Sequence, residues 1–478
     1  MPGDALTHSL AFDPANARAA LTELPLCAAV FALYGAEAHA EPYVGRTPNL
    51  RSRLERLLQP SPKHPRRLQL AGRVRRITWR LTGSDFESLL AQFSLLEEIY
   101  GPKALDRMHL GAPAFIRYLG SNAYPRITVT NRPSQREADW AYGPFQSRAA
   151  AERFAEEALK LFLLRRCTDD LDPNPSHPGC VYSEMKMCLA PCYQGCTDER
   201  YREESTAVER FLATRGESRL VTLRTQRDQA SADLAFESAA ALHAQVQRVE
   251  AVRALAPELV RPMSQLRAVI LQASANPDEV AVFLFEDARL RGPAAFSTLG
   301  MRIQNEQSGS SSLFAQPMAI EPVPETTGNR DQGAEIREQG TGNREESTEA
   351  SKEPLRESSF LKGTGFSAYM GQPGSPGALA PEGGLPGDQK EPANKTLKIA
   401  RGLLEARMEA ALDALAEPGQ APSVTLRQGH LALLKRWYYR PEVRRSGEIF
   451  FPDLEGRWPV KAMLRGVGRV AAKMLSKN

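Results

Sequence analysis

Apolar positions along the chain follow two periods. Cys27 to Tyr34 is a short, nearly continuous apolar run of strand type, and Pro42-Tyr43-Val44-Gly45 reads as a second strand ending at a glycine. Asn49 to Leu58 has helical spacing, with Asn49 where an N-cap belongs. Gln69 to Leu81 alternates around Val74, Ile77 and Trp79, which predicts a third strand. Ser84 opens a helix through Tyr100 with Phe86, Leu89, Leu90, Phe93, Leu96 and Ile99 on one face, and Gly101-Pro102 stops it. Together these make residues 21–106 a small α/β unit.

Residues 107–200 carry a strand (Pro125 to Thr130), a Tyr142-Gly143-Pro144-Phe145 turn, a helix from Ala149 to Leu164 and a cysteine-rich stretch. Residues 201–262 are helical and charged, with the composition of a helical hairpin. Within 263–302, Leu266 to Gln272 and Glu279 to Phe285 are apolar and β-branched, as paired strands are. Gly, Pro, Ser, Glu and Gln dominate 303–395, where a Thr-Gly-Asn-Arg tetrapeptide occurs twice. Such a segment buries too little apolar surface to offset its chain entropy, so a disordered linker is expected. Residues 396–478 begin with an amphipathic helix, Leu397 to Leu415, and continue as a basic module. The fold class expected is therefore α+β and multidomain.

Composition changes this picture little. The chain has 478 residues and a net charge of only +4. No apolar run approaches the ~18 residues of a membrane span. The first residues lack a basic region followed by an apolar core. A cytoplasmic location without membrane attachment is the expectation. Charge is uneven, however. Val44 to Arg80 holds eleven Lys/Arg against one acid, and Arg427 to Asn478 holds twelve against four. The second stretch also carries Trp437, Tyr438, Tyr439, Phe450, Phe451 and Trp458. Cations interleaved with aromatics suit nucleic acid, by phosphate contact and base stacking, although large aromatics are as readily core.

Five of six cysteines lie between Cys167 and Cys196. Too few for a disulfide scaffold, they suggest metal binding. The spacing of Cys167, Cys180, Cys188 and Cys192 leaves zinc and a [4Fe–4S] cluster both open. Cys196 is a spare thiol in this reading, and Cys27, in the first apolar run, is expected in the core.

The order Ala29-Val30-Phe31, Tyr43-Val44-Gly45, Asn49 to Leu54 resembles a GIY-YIG nuclease domain. "YVGRTPNLRSRL" is similar to the second strand and following helix of the UvrC subtype. Tyr124 to Ile127, Tyr142 to Phe145, Leu189 to Cys192 and Phe236-Glu237 with Ala239-Ala240 continue the resemblance, which covers about residues 21–300. UvrC is the incising subunit of bacterial nucleotide excision repair and acts on damaged DNA loaded with UvrB.

The resemblance implies specific roles. Phosphodiester hydrolysis needs a divalent metal, a cation at the phosphate and a base for water. By position, Tyr43 is the family's second tyrosine and Arg53 its phosphate-binding arginine, while Arg46 stands where lysine is usual. Phe31 occupies the first tyrosine's place without a hydroxyl. Gln92 falls at the metal glutamate, where a neutral amide is a poor ligand for Mg²⁺. Ala104 falls near the late asparagine. A one-turn shift would bring Glu87 or Glu97 to the metal instead, against the register of the apolar face. The same resemblance assigns Cys167, Cys180, Cys188 and Cys192 to a [4Fe–4S] cluster, with zinc as the alternative. It also assigns Phe236, Glu237, Ala239 and Ala240 to a UVR hairpin that docks a UvrB-type partner.

Residues 266–300 resemble the lead-in to the family's second, RNase H-type nuclease domain, but no acidic strand motif follows. Leu464 to Val470 is weakly similar to a glycine-containing turn that binds the DNA backbone. The expected protein binds DNA and a UvrB-type partner. It either incises DNA with Mg²⁺ or acts through a degenerate site without cutting. An inactive adaptor and an iron–sulfur redox-responsive DNA-binding protein are the alternatives.

Overall fold

The computed structural model describes residues 6–37, 40–59, 70–132, 139–168, 171–299, 390–417, 423–453 and 455–476. Most of the stretch expected as a linker lies outside them. The chain divides into two units, Met1–Gln316 with Thr396–Asn478, and Pro317–Lys395. All three sheets belong to the first. Among the described residues no helix is long and apolar enough to cross a membrane.

The first sheet has the order β1-β4-β2-β3 and is antiparallel throughout. Its strands are β1 (His8–Ala11), β2 (Ala29–Tyr34), β3 (Tyr43–Thr47) and β4 (Arg76–Leu81). The edge strand β1 precedes the segment read as starting at residue 21. Strand β2 is apolar at nearly every position because both its faces are covered. Ala29, Phe31 and Leu33 meet α1 (Ala17–Thr22) and α2 (Leu50–Leu58), whereas Val30 and Ala32 meet Leu95 of α3 (Asp85–Tyr100). Both longer helices start as expected. Asn49 Oδ1 accepts from Ser52 N–H at 3.0 Å and Ser84 Oγ from Glu87 N–H at 3.1 Å, caps worth about 1 kcal/mol each. Gly101, at φ 55°, ends α3, and the short α4 (Lys103–Arg107) follows.

The second sheet has the order β6-β5-β7-β8, from β5 (Ala114–Leu119), β6 (Ile127–Thr130), β7 (Asp139–Phe145) and β8 (Arg261–Pro262). The turn expected at Tyr142 to Phe145 is instead the end of β7. Pro144 is accommodated there because the β5–β7 register shifts between Ala114 and Ile116, and an irregularity tolerates a residue without an N–H. Against this sheet pack α5 (Arg148–Leu159) and α7 (Asp198–Ala213). The short α6 (Val181–Glu184) lies in the cysteine stretch between them. Helices α8 (Glu217–Ala232) and α9 (Phe236–Ala254) then form a hairpin.

The third sheet has the order β11-β10-β9-β12, all antiparallel, from β9 (Ala268–Ala273), β10 (Glu279–Glu286), β11 (Arg289–Ser297) and β12 (Glu448–Phe450). The paired strands expected between 263 and 302 are therefore joined by one from the C-terminal segment. Alternate residues face two layers. Val269, Leu271, Val280 and Val282 meet α10 (Lys390–Ala416) and α12 (Val460–Leu475). Ile270, Phe283 and Phe285 meet α3 and α11 (Val424–Tyr438). Helix α3 thus serves two cores, Leu95 toward the first sheet and Phe86, Phe93 and Leu96 toward the third.

One alternative left open by the sequence is decided here, and two sequence expectations are corrected. Trp437 and Phe451 are buried, and Tyr439 donates its hydroxyl to Pro144 O at 2.9 Å, so the C-terminal aromatics build core rather than a stacking platform. The segment Leu464 to Val470 is the middle of α12, not a turn. Gly466 is needed for close approach, since a Cβ there would lie 2.6 Å from Phe450 Cζ. Cys27 is exposed, because it precedes β2 and only its carbonyl is engaged, by Leu50 N–H at 3.0 Å.

Candidate functional site

Tyr43 lies on β3 and Arg53 one turn into α2, and the guanidinium Nη2 donates to the tyrosine hydroxyl at 3.3 Å. Beside Tyr43 opens a shallow cavity of about 380 Å³, lined also by Glu41, Gln92, Leu96, Tyr100 and Arg107. Gln92 of α3 and Tyr43 therefore face one cavity, as the register of the apolar face required. Phe31 does not reach it with a polar group. Its ring is buried between the strands and α2, 6.2 Å from the Tyr43 ring. Ala104, on α4, is buried in the core.

The remaining charged candidates are engaged elsewhere. Arg46 pairs with Asp85 at the N-terminus of α3, and Arg440 meets the same carboxylate at 2.6 Å. Glu87 folds back on its own helix start, accepting from Gly83 N–H at 2.9 Å and Arg80 at 3.4 Å. Burial pushes its pKa up, against the pull of Gly83 and Arg80. Glu97 accepts from Ser423 Oγ at 3.1 Å. The cavity's one carboxylate, Glu41, pairs with Arg107 at 2.9 Å, and that guanidinium stands 3.6 Å over the Tyr100 ring. Neither Glu41 nor Arg107 was singled out from the sequence. Glu41 lies two residues before β3, but nothing local marks Arg107. Among the described residues no group of three His, Cys, Asp or Glu side chains is close enough to hold a metal ion as it stands. A Mg²⁺ site does not fit this cavity, whose lining offers one carboxylate, already paired with Arg107, and a neutral amide where a second would be needed.

The cysteine stretch folds back on itself through Leu189 N–H to Leu163 O at 3.0 Å and Asn174 N–H to Cys192 O at 2.9 Å. Burial raises the Cys188 thiol pKa to about 11. The Ala190 N–H, donating to Cys188 Sγ at 3.2 Å, opposes the rise, while Cys167, Cys180 and Cys192 add to it. Cys167 is likewise raised, by burial first and then by Cys180 and Cys192. Cys167, Cys180 and Cys188 are half-buried and Cys192 is buried. The half-buried Cys196 thiol is raised by burial first and then by Asp198, against the pull of Arg200. Thiols are the donor type an iron–sulfur cluster takes, and among the described residues no three of these side chains stand close enough to share one ion.

In the hairpin, Leu220, Leu223, Val246 and Val249 make the buried contacts. Arg224–Glu250 (2.8 Å) and Arg253–Glu217 (3.0 Å) link its helices toward the root. The tip is open. Leu234, at φ 59°, is 71% exposed and Phe236 66%. Glu237 and Ala240 are also exposed and Ala239 half-buried, so this small-residue face is not consumed within the hairpin.

Comparison with known proteins adds the family. Residues 115–211, from β5 to α7, match the model of the UvrC/Cho excinuclease middle domain. UvrABC system protein C of Alcanivorax borkumensis is 29% identical over 254 residues, 53% of this chain and 41% of that protein. The same protein of Ruminiclostridium cellulolyticum is 28% identical over 276 residues, 56% and 44% respectively. That of Aliivibrio fischeri is 27% identical over 227 residues, 47% and 36%. The chain spans about two fifths of the length of these curated relatives. No solved structure matches. A middle domain matched from strand to helix, together with alignments over about half of the chain to one kind of protein, makes this chain similar to UvrC proteins.

Proposed function

We propose that the chain is a cytoplasmic UvrC-type subunit of nucleotide excision repair that joins DNA to a UvrB-type partner through a GIY-YIG-type domain unable to cut unaided. The observation that carries this reading is Gln92, a neutral amide facing the cavity beside Tyr43 where the family's metal carboxylate belongs. Arg53, hydrogen bonded to the Tyr43 hydroxyl, supplies a cation and a polar group for a phosphate. Phe31 brings no hydroxyl, and Glu87 is committed to Gly83 and Arg80. The exposed tip around Phe236, Glu237, Ala239 and Ala240 serves as the UVR-type docking surface for the partner.

Cys167, Cys180, Cys188 and Cys192 would hold a [4Fe–4S] cluster, with zinc as the alternative metal. Such a group ties the loops between α5 and α7 by metal–thiolate bonds.

An incision assay tests the catalytic half. A lesion-bearing duplex is preloaded with UvrA and UvrB and given the purified chain with Mg²⁺ or Mn²⁺. Retention on the UvrB–DNA complex without cutting is expected, and cutting is expected to appear when Phe31→Tyr is combined with Gln92→Glu. A cutting subunit is the second reading, favoured by the surviving Arg53–Tyr43 hydrogen bond. Cutting by the unaltered chain that Arg53→Ala abolishes would establish it.

A further inference from the structure

At the root of the hairpin, away from its tip, helices α5, α8 and α9 enclose a cleft of about 620 Å³. Its rim is cationic. Arg153 stands on α5 and Lys160 just past its end, with Arg219 on α8 and Arg248 on α9. The rim's one acid, Glu157, is bound to Lys160 at 2.7 Å. Arg153, Arg219 and Arg248 have no carboxylate partner among the described residues, and Arg219 leans on the Phe162 ring at 5.8 Å. The floor is apolar, built from Leu223, Val249 and Val252.

Cations around a concave site without counter-charge repel one another, and an anionic ligand relieves that repulsion. An apolar floor asks for something more, an apolar edge on the ligand. A DNA duplex offers the charge but keeps its base faces stacked on one another, away from such a floor. A helix with acidic flanks and an aliphatic stripe offers both. Spacing agrees, since Arg153 to Lys160 and Arg248 to Leu255 each run two helical turns, about 10 Å of rim.

We propose that this cleft is a docking groove for an acidic amphipathic helix of a partner protein, separate from the surface at the hairpin tip. The probe is a fluorescein-labelled helical peptide of about 15 residues, roughly four turns, with leucines along one face and glutamates flanking it. Its anisotropy is followed as the full chain is added. Binding is expected, and Arg153→Glu with Arg248→Glu, both exposed, should weaken it at least about tenfold. Phe236→Ala should leave it unchanged, which separates this groove from the UVR-type reading of the tip. No binding, or binding that the double reversal leaves intact or that Phe236→Ala weakens, would overturn the proposal. So would equal binding of a lysine-flanked peptide, or of one with serine for leucine. If the double reversal instead lowers affinity for duplex DNA and spares the peptide, the cleft belongs to nucleic acid and the proposal fails.

Discussion

The ring of Phe31 lies across Gly45, its cross-strand neighbour, so closely that a Cβ at Gly45 would stand 2.7 Å from Phe31 Cζ. The aromatic ring at this position is therefore held by packing, and a glycine opposite is its steric requirement. Gly45→Ala should destabilise the chain by about 1–3 kcal/mol, the usual cost of overpacking a filled core. Phe31→Leu in the same chain should recover part of that loss. Urea midpoints of the two single variants and the double variant measure the coupling.

Gly429 of α11 meets Phe93 of α3 even more closely, with 1.9 Å between a built Cβ and Phe93 Cζ. This contact joins the C-terminal segment to the helix that backs the first sheet. Gly429→Ala should cost about 3 kcal/mol, the upper end of overpacking effects. Thermal unfolding read at Trp437, buried in the same core, should report the loss directly.

His430, next in sequence, accepts the Leu290 N–H at 2.9 Å through Nδ1, and its Nε2 has no hydrogen-bond partner among the described residues. Burial first, and Arg289 second, push its pKa down to about 3. An unfolded chain protonates this ring near the ordinary value of about 6.5. The folded chain thus binds fewer protons between the two values. Stability present above pH 6.5 is lost as pH falls toward 3. Denaturation midpoints across that window should fall with pH, and less steeply in His430→Asn, which keeps an acceptor for Leu290 but does not titrate.

Anaerobic reconstitution with iron and sulfide should give the broad visible absorption of an iron–sulfur centre and about four irons per chain. Cys188→Ala should abolish it. Cys196→Ala, outside the proposed ligand set, should retain it. Loading with zinc alone, unaltered by iron and sulfide, would assign the site to zinc. Chelation after loading should lower the thermal midpoint, since the four proposed ligands span the loops on which Tyr201 and Leu189 pack.

Phe236 is two-thirds exposed, so Phe236→Ala should change stability by no more than about 0.5 kcal/mol. Capture of a UvrB-type protein should nevertheless fall about tenfold or more, as removal of an aromatic anchor does. Equal capture by both chains would remove the tip from the proposed interface.

Much of the local structure was legible in the residues themselves. The strands around Phe31 and Tyr43, the caps Asn49 and Ser84, and the stop at Gly101 depend on interactions within a few residues, and they appear where the pattern puts them. Helical spacing was also enough to turn Gln92 toward Tyr43. Pairings between distant segments were not legible. Periodicity says that a face is buried but not against what, so Trp437 and Phe451 read equally well as a basic, aromatic surface until β12 pairs with β9. The strand ending at Phe145 depends on a register shift in its partner, and the exposure of Cys27 depends on where β2 begins. The counter-charges Asp85 and Glu41 and the cleft between α5, α8 and α9 likewise exist only once separate elements are packed together. Short-range geometry and capping are encoded locally, whereas burial partners and charge pairing are chosen by the complementarity of faces that meet only in the folded chain.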